Sequence, residues 1–267
     1  AYDADRPQWA PVVGLAFVPG TSGSMLAMTG QSDAFNYEEV VQSTDGGAHW
    51  TSVLSFPFSS SANGFSPLSL AFDPADPRTI LVGSFSYGLR RSTDGGATWE
   101  DASGGLRCAG ASDDPYYQDV KPVQEVYTVA LLPGNGPRAL IGTDREGVWL
   151  SDDLGESWRQ SNQGLAAMKV NTLLAERATP GALLAGTAEA GVQRSDDGGR
   201  TWIPANTGLY DGCAPYRGES PAPICASSNV SRLVTLPGAA GLGAGDCGYF
   251  TSSDGGWTWS QSQSPGD

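Results

Sequence analysis

The chain has 267 residues and a net charge of −14, with 36 glycines, 18 prolines and only 16% charged residues. So negative a surface repels nucleic acid and anionic lipid, which argues against both as partners, and no stretch approaches the eighteen or so consecutive apolar residues that cross a bilayer. The length accommodates a sizeable core in one or two domains, and the Gly and Pro content suits short strands joined by tight turns.

Five units follow one another along the chain. The first (11–58) runs PVVGLAFVP (11–19), MLAMTG (25–30), the loop QSDAFNYEEV (31–40) and the octapeptide STDGGAHW (43–50). The second (66–106) runs SPLSLAFDP, TILVGS (79–84), GLRRS and STDGGATW (92–99). The third (123–165) has QEVYTVALLP (124–133), RALIGT (138–143), GVWLS and SDDLGESW (151–158). The fourth (168–209) has KVNTLLAER (169–177), ALLAGT (182–187), GVQRS and SDDGGRTW (195–202). The fifth (228–263) has NVSRLVTLP (229–237), GLGAGD (241–246) and SSDGGWTW (252–259). Each unit reads as four short strands. The second run always carries a glycine at or next to its end: Gly30, Gly83, Gly142, Gly186 and Gly245.

Four-stranded units repeating every 44 to 59 residues predict an all-β fold, a five-bladed β-propeller of antiparallel blades in one domain. Little chain remains for a sixth unit, so a closed five-bladed ring is expected. The octapeptides fall at the hairpin between the third and fourth strands of each unit. Their Asp-Gly-Gly core tolerates the positive φ that tight hairpins need. The aspartates Asp45, Asp94, Asp153, Asp197 and Asp254 would accept hydrogen bonds from their own turns. A catalytic carboxylate is not needed five times over, and a lone Asp among glycines lacks the clustered oxygens of a calcium site. Trp50, Trp99, Trp158, Trp202 and Trp259 are expected as apolar plugs between blades.

These octapeptides resemble the Asp-boxes, or BNR repeats, of sialidases, sortilin-type receptors, xyloglucanases and photosystem II assembly factors. The likeness extends from Pro11 to about Gln263, with Leu154 standing where the other copies have glycine. It implies the propeller fold. It leaves function open, because the same repeat serves enzymes, receptors and assembly chaperones.

The four cysteines are Cys108, Cys213, Cys225 and Cys247, and His49 is the only histidine, so a zinc site lacks ligands. Cys213 and Cys225 bracket a Pro-rich loop and are expected to form a disulfide; Cys108 and Cys247 are expected to pair on the same face. Such bridges point to an extracytoplasmic compartment, periplasmic or secreted; free thiols in a cytosolic protein are the alternative.

The irregular insertions 56–65, 107–123 and 210–229 fall at the end of the units opposite the octapeptides. Variable loops on a rigid frame are where binding usually resides. Tyr87, Tyr116, Tyr117, Asp144, Arg145 and Tyr216 are therefore the candidate binding residues, with Tyr37, Glu38, Glu39, Asp119, Glu146 and Arg217 nearby. Aromatic rings beside carboxylates and arginines suit a protein partner or a glycan, and no cofactor is implied.

A sialidase-like site would need an arginine cluster. Arg91 and Arg194 immediately precede an octapeptide and so belong to the wrong end, leaving Arg145 and Arg217. Glycoside hydrolysis needs two carboxylates across a cleft, whereas Asp144 and Glu146 are neighbours on one loop. The sequence thus favours a non-catalytic exported scaffold or binding module, with a glycoside hydrolase acting on extracellular glycans as the alternative.

Overall fold

The structure is a computed structural model and describes residues 12–29, 38–56, 69–84, 88–106, 126–132, 138–176, 179–209, 229–236, 239–245 and 248–261. These form twenty strands and no helix. The first sheet comprises β1 (Val12–Phe17), β2 (Met25–Thr29), β3 (Glu38–Ser43) and β4 (Thr51–Phe56). The second comprises β5 (Ser69–Phe72), β6 (Ile80–Ser84), β7 (Gly88–Ser92) and β8 (Glu100–Asp101), and the third β9 (Val126–Leu132), β10 (Arg138–Thr143), β11 (Val148–Ser151) and β12 (Arg159–Gln160). The fourth comprises β13 (Val170–Ala175), β14 (Leu183–Thr187), β15 (Val192–Ser195) and β16 (Ile203–Pro204), and the fifth β17 (Val230–Leu236), β18 (Ala239–Gly245), β19 (Gly248–Ser252) and β20 (Ser260–Gln261). In every sheet, strands adjacent in sequence are adjacent in space.

The chain divides into two compact units. One contains Ala1–Leu131, Asn135–Ala139 and Ser151–Trp158; the other contains Leu132–Gly134, Leu140–Leu150 and Arg159–Asp267. In the first unit Leu26, Met28 and Val40 point to one side of their sheet, by the two-residue period of strands, and pack with Phe56, Ile80 and Val82. In the second unit Leu184, Val192, Ala205 and Leu209 pack against Val230, Leu233, Phe250 and Trp259. Two of the second-strand glycines serve this packing. A Cβ on Gly83 would lie 2.5 Å from Val126 Cγ1, and one on Gly186 would lie 2.8 Å from Val230 Cγ1, so the first strand of the following sheet starts against bare backbone.

The octapeptides occupy the third-to-fourth-strand hairpins, as their composition predicts, and one network recurs in all five. The serine hydroxyl donates to the aspartate Oδ1 at 2.7–2.9 Å. The N–H of the fifth-position glycine donates to that hydroxyl at 2.8–2.9 Å. The seventh-position N–H reaches the same Oδ1 at 2.9–3.0 Å. The seventh-position side chain bonds Oδ2, through a hydroxyl in Thr98, Ser157, Thr201 and Thr258 and through Nδ1 in His49. Hydrogen bonds to a carboxylate favour its charged form. Those from Thr98 hold Asp94 down at about 2. At Asp254 burial pushes upward, but the bonds from Thr258 outweigh it and the value again falls to about 2. Asp45, Asp153 and Asp197 are lowered as well. Leu154 takes φ 55° where the other copies place glycine at 74–82°.

The fourth strands are the shortest in four of the sheets, at only two residues, and in the second, third and fourth the chain leaves the sheet to build the seat of the next tryptophan. Trp158 Nε1 donates to Ala102 O at 2.8 Å, Trp202 Nε1 to Ser161 O at 2.8 Å and Trp259 Nε1 to Ala205 O at 2.9 Å. The glycines of the seat lie directly under the incoming turn: a Cβ on Gly164 would lie 2.1 Å from Trp202 O, and one on Gly208 would lie 2.0 Å from Trp259 O. Trp50 and Trp99 behave differently. Each is half-buried and donates to a glycine of its own turn, Gly47 or Gly96.

Candidate functional site

Of the predicted binding residues, Asp144 and Arg145 are described; Tyr87, Tyr116, Tyr117 and Tyr216 lie outside the described residues, as do Cys108, Cys213, Cys225 and Cys247. Asp144 and Arg145 sit in the turn between β10 and β11, at the end of the third sheet opposite its octapeptide. The turn is built on Thr143, whose hydroxyl donates to Gly147 O at 2.9 Å and accepts Glu146 N–H at 3.0 Å. Asn162, on the segment after β12, clamps it from the side by accepting Val148 N–H and donating to Glu146 O, both at 2.8 Å. Gly147, at φ 75°, donates its N–H to Met168 O.

The β14–β15 turn repeats this frame with Thr187, Gly191 and Asn206 in the same roles. The frame is therefore architecture, and what differs is its cargo. The β14–β15 turn carries Ala188, Glu189 and Ala190, whereas the β10–β11 turn carries Asp144, Arg145 and Glu146. The largely buried Asp144 carboxylate lies 2.7 Å from Lys169 Nζ and 3.1 Å from Arg145 Nε. Gln160 Nε2 donates to Glu146 Oε2 at 3.3 Å, and Met168 is exposed beside them. Carboxylates, two cations and an exposed thioether on a rigid turn present donors and acceptors to a polyhydroxylated or polypeptide ligand. Among the described residues no three His, Cys, Asp or Glu side chains come together as a metal site.

Two buried groups stand outside the set of candidate site residues. Glu176, at the end of β13, is 5% exposed, and its Oε1 has no hydrogen-bond partner among the described residues. Burial pushes its carboxyl up, partly opposed by the charge of Arg194. Arg194, 4% exposed, donates through Nη1 to Gly255 O and through Nη2 to Asp196 Oδ1, and stacks 4.8 Å from the Trp257 ring centroid, while its Nε has no hydrogen-bond partner among the described residues. The available signal for Glu176 was its place near the end of KVNTLLAER, where the other four first-strand runs end in proline. Arg91, in the equivalent position of the second sheet, bonds Glu100, Glu156 and Leu154 O. Both arginines thus lie at the octapeptide end and join sheets, as their position in the sequence required.

No family model matches the chain. Over 118 residues it is 39% identical to a probable oligoxyloglucan-reducing end-specific xyloglucanase of Neosartorya fischeri, an alignment covering 41% of this chain and 14% of that protein. Among solved structures it is similar to the GH74 enzyme of Niastella koreensis, with a TM-score of 0.57, 17% identity and coverage of 94% of this chain and 38% of the other. It is likewise similar to an ancestral GH74 enzyme, with a TM-score of 0.54, 19% identity and coverage of 94% and 43%. The chain therefore spans less than half the length of each protein it matches here. The described strands and these neighbours together establish an all-β chain of four-stranded antiparallel sheets with a β-propeller fold.

Proposed function

We propose that this chain is an exported glycan-directed β-propeller of the glycoside hydrolase kind, acting on a xyloglucan-type polysaccharide. The observation that carries this is the sequence identity to a probable xyloglucanase, well above that of the fold neighbours. It favours the hydrolase over the non-catalytic scaffold. In this assignment the five sheets are five blades and the octapeptides are Asp-boxes that hold them rigid. The polysaccharide meets the β10–β11 turn, where Asp144 and Arg145 face its hydroxyls; Tyr87, Tyr116, Tyr117 and Tyr216 are the aromatic candidates that the sequence adds. Asp144, ion-paired to Lys169, serves as an acceptor that orients the sugar rather than as a proton donor.

The test is incubation with xyloglucan and its oligosaccharides, following new reducing ends, with affinity electrophoresis in xyloglucan gels alongside. Release of reducing ends, with retardation weakened by Arg145→Ala, is the expected result. Neither product nor retardation from the folded protein overturns the proposal.

A further inference from the structure

The sixth residue of the octapeptide is exposed in all five copies: Ala48, Ala97, Glu156, Arg200 and Trp257. Two of these lie over an arginine of the sheet before. Glu156 meets Arg91 Nη2 at 2.6 Å and its side chain stays 67% exposed. Trp257 holds the same place over Arg194, whose guanidinium carbon is 4.8 Å from the ring centroid, and is 42% exposed. Both partners of the Trp257 contact belong to the second compact unit.

The fold does not require an indole at this position. Alanine fills it in the first two copies. The core role belongs to Trp259, two residues on, which is 5% exposed and donates to Ala205 O at 2.9 Å. Arg194 is already bonded to Gly255 O and to Asp196. The ring is nevertheless held firmly. Its backbone N–H donates to Asp254 Oδ1 at 3.0 Å, and the next residue, Thr258, bridges Thr207 of the fourth sheet. A cation backs one face of the indole, a stabilising arrangement, and the outer face is left to water.

The neighbours of the ring suit one class of ligand. Ile203 faces Arg194 across the β15–β16 pair and is 46% exposed, so it extends the apolar surface. The half-exposed Asp196 gives one carboxylate oxygen to Arg194, which leaves the other to accept from a ligand. An aromatic plane beside a hydroxyl acceptor fits a pyranose ring, apolar on its face and hydroxylated at its edge.

We propose that Trp257 is the platform of a second glycan site, which binds a neutral polysaccharide through stacking on the indole and a hydroxyl bond to Asp196. The inference rests on the glycan-directed reading above. It places the contact at the octapeptide end, whereas Asp144 and Arg145 lie at the opposite end of their sheet. Trp257 therefore retains the polymer and does not touch the bond to be cleaved. The net charge of −14 disfavours a uronic acid polymer. Because the ring is fixed before the ligand arrives, little ordering cost opposes binding.

Affinity electrophoresis tests this, with mobility in xyloglucan or polygalacturonate gels compared with that in plain gels. Reducing-end release from short xyloglucan oligosaccharides is measured on the same proteins. The native chain should be retarded by xyloglucan and not by polygalacturonate. Trp257→Glu recreates the Glu156–Arg91 pair and so keeps the fold. It should weaken retardation about fivefold or more and leave release from short oligosaccharides unchanged, while Trp257→Tyr should keep most of the retardation. Retardation that Trp257→Glu does not move overturns the site, as does a native chain that xyloglucan does not retard or that polygalacturonate retards equally. A fall in oligosaccharide release matching the fall in retardation overturns it too, because the two contacts would then be one. Retardation lost in Trp257→Glu, from a native chain that releases no reducing ends, supports this site and removes the hydrolytic reading alone.

Discussion

The indole N–H of Trp202 donates to the carbonyl of Ser161 at 2.8 Å, and the ring is 2% exposed. It fills an apolar gap and satisfies a carbonyl that water does not reach. Trp202→Phe keeps much of the volume but leaves that carbonyl unpaired, which should cost about 1–3 kcal/mol. The same change at Trp50, half-buried and bonded to Gly47 of its own turn, should cost under about 1 kcal/mol. Urea unfolding midpoints of the two variants decide the point; equal losses would contradict the distinction between seated and unseated tryptophans.

The octapeptide aspartates set the response to acid. Their folded-state values lie below the ordinary 3.8, at about 2 for Asp94 and Asp254. The stability they contribute is therefore present above pH ~4 and lost as pH falls toward ~2. Asp94→Asn should flatten the acid limb of a stability-against-pH curve while leaving its shape above pH ~5 unchanged. A curve parallel to wild type throughout would show that Asp94 is not held charged by its turn.

Glu176 acts in the opposite sense. Burial raises its folded-state value above the ordinary 4.5, so its contribution is fully present below that value and lost as pH rises through the folded one. Glu176→Gln should gain thermal stability relative to wild type at neutral pH and little at pH ~4. Melting temperatures at the two pH values test it, and a gain confined to acid would reverse the assignment.

Leu154 takes φ 55°, a conformation that costs a side chain about 1–2 kcal/mol. Glycine removes that strain but adds freedom to the unfolded chain, offsetting about 0.5–1 kcal/mol. Leu154→Gly should thus be stabilising by up to about 1 kcal/mol, and Leu154→Ala should not. Chemical denaturation of the three proteins measures the difference.

The sheets were legible because each octapeptide marks its own hairpin and each strand run alternates or is apolar throughout. What lies between sheets was harder to see. Glu100 and Asp101 read as strand, yet the chain leaves the sheet after two residues because Ala102 and Gly104 are needed under the next turn, where a Cβ on Gly104 would lie 1.9 Å from Glu156 O. Arg194 was correctly placed at the octapeptide end, but its role depends on Gly255 and Trp257 of another repeat, which no single unit reveals. For Asp144 and Arg145 the loop was legible, whereas the Thr143–Asn162 frame that stiffens it appears only when two turns are compared in space.

The tryptophan seats impose a direction on the molecule. Ala102, Ser161 and Ala205 are each translated more than forty residues before the indole they receive. As the polypeptide leaves the ribosome, every one of these docking sites is complete before its occupant emerges. The growing chain can therefore add sheets vectorially onto a finished template, and a truncation from the C-terminal side leaves the earlier seats whole.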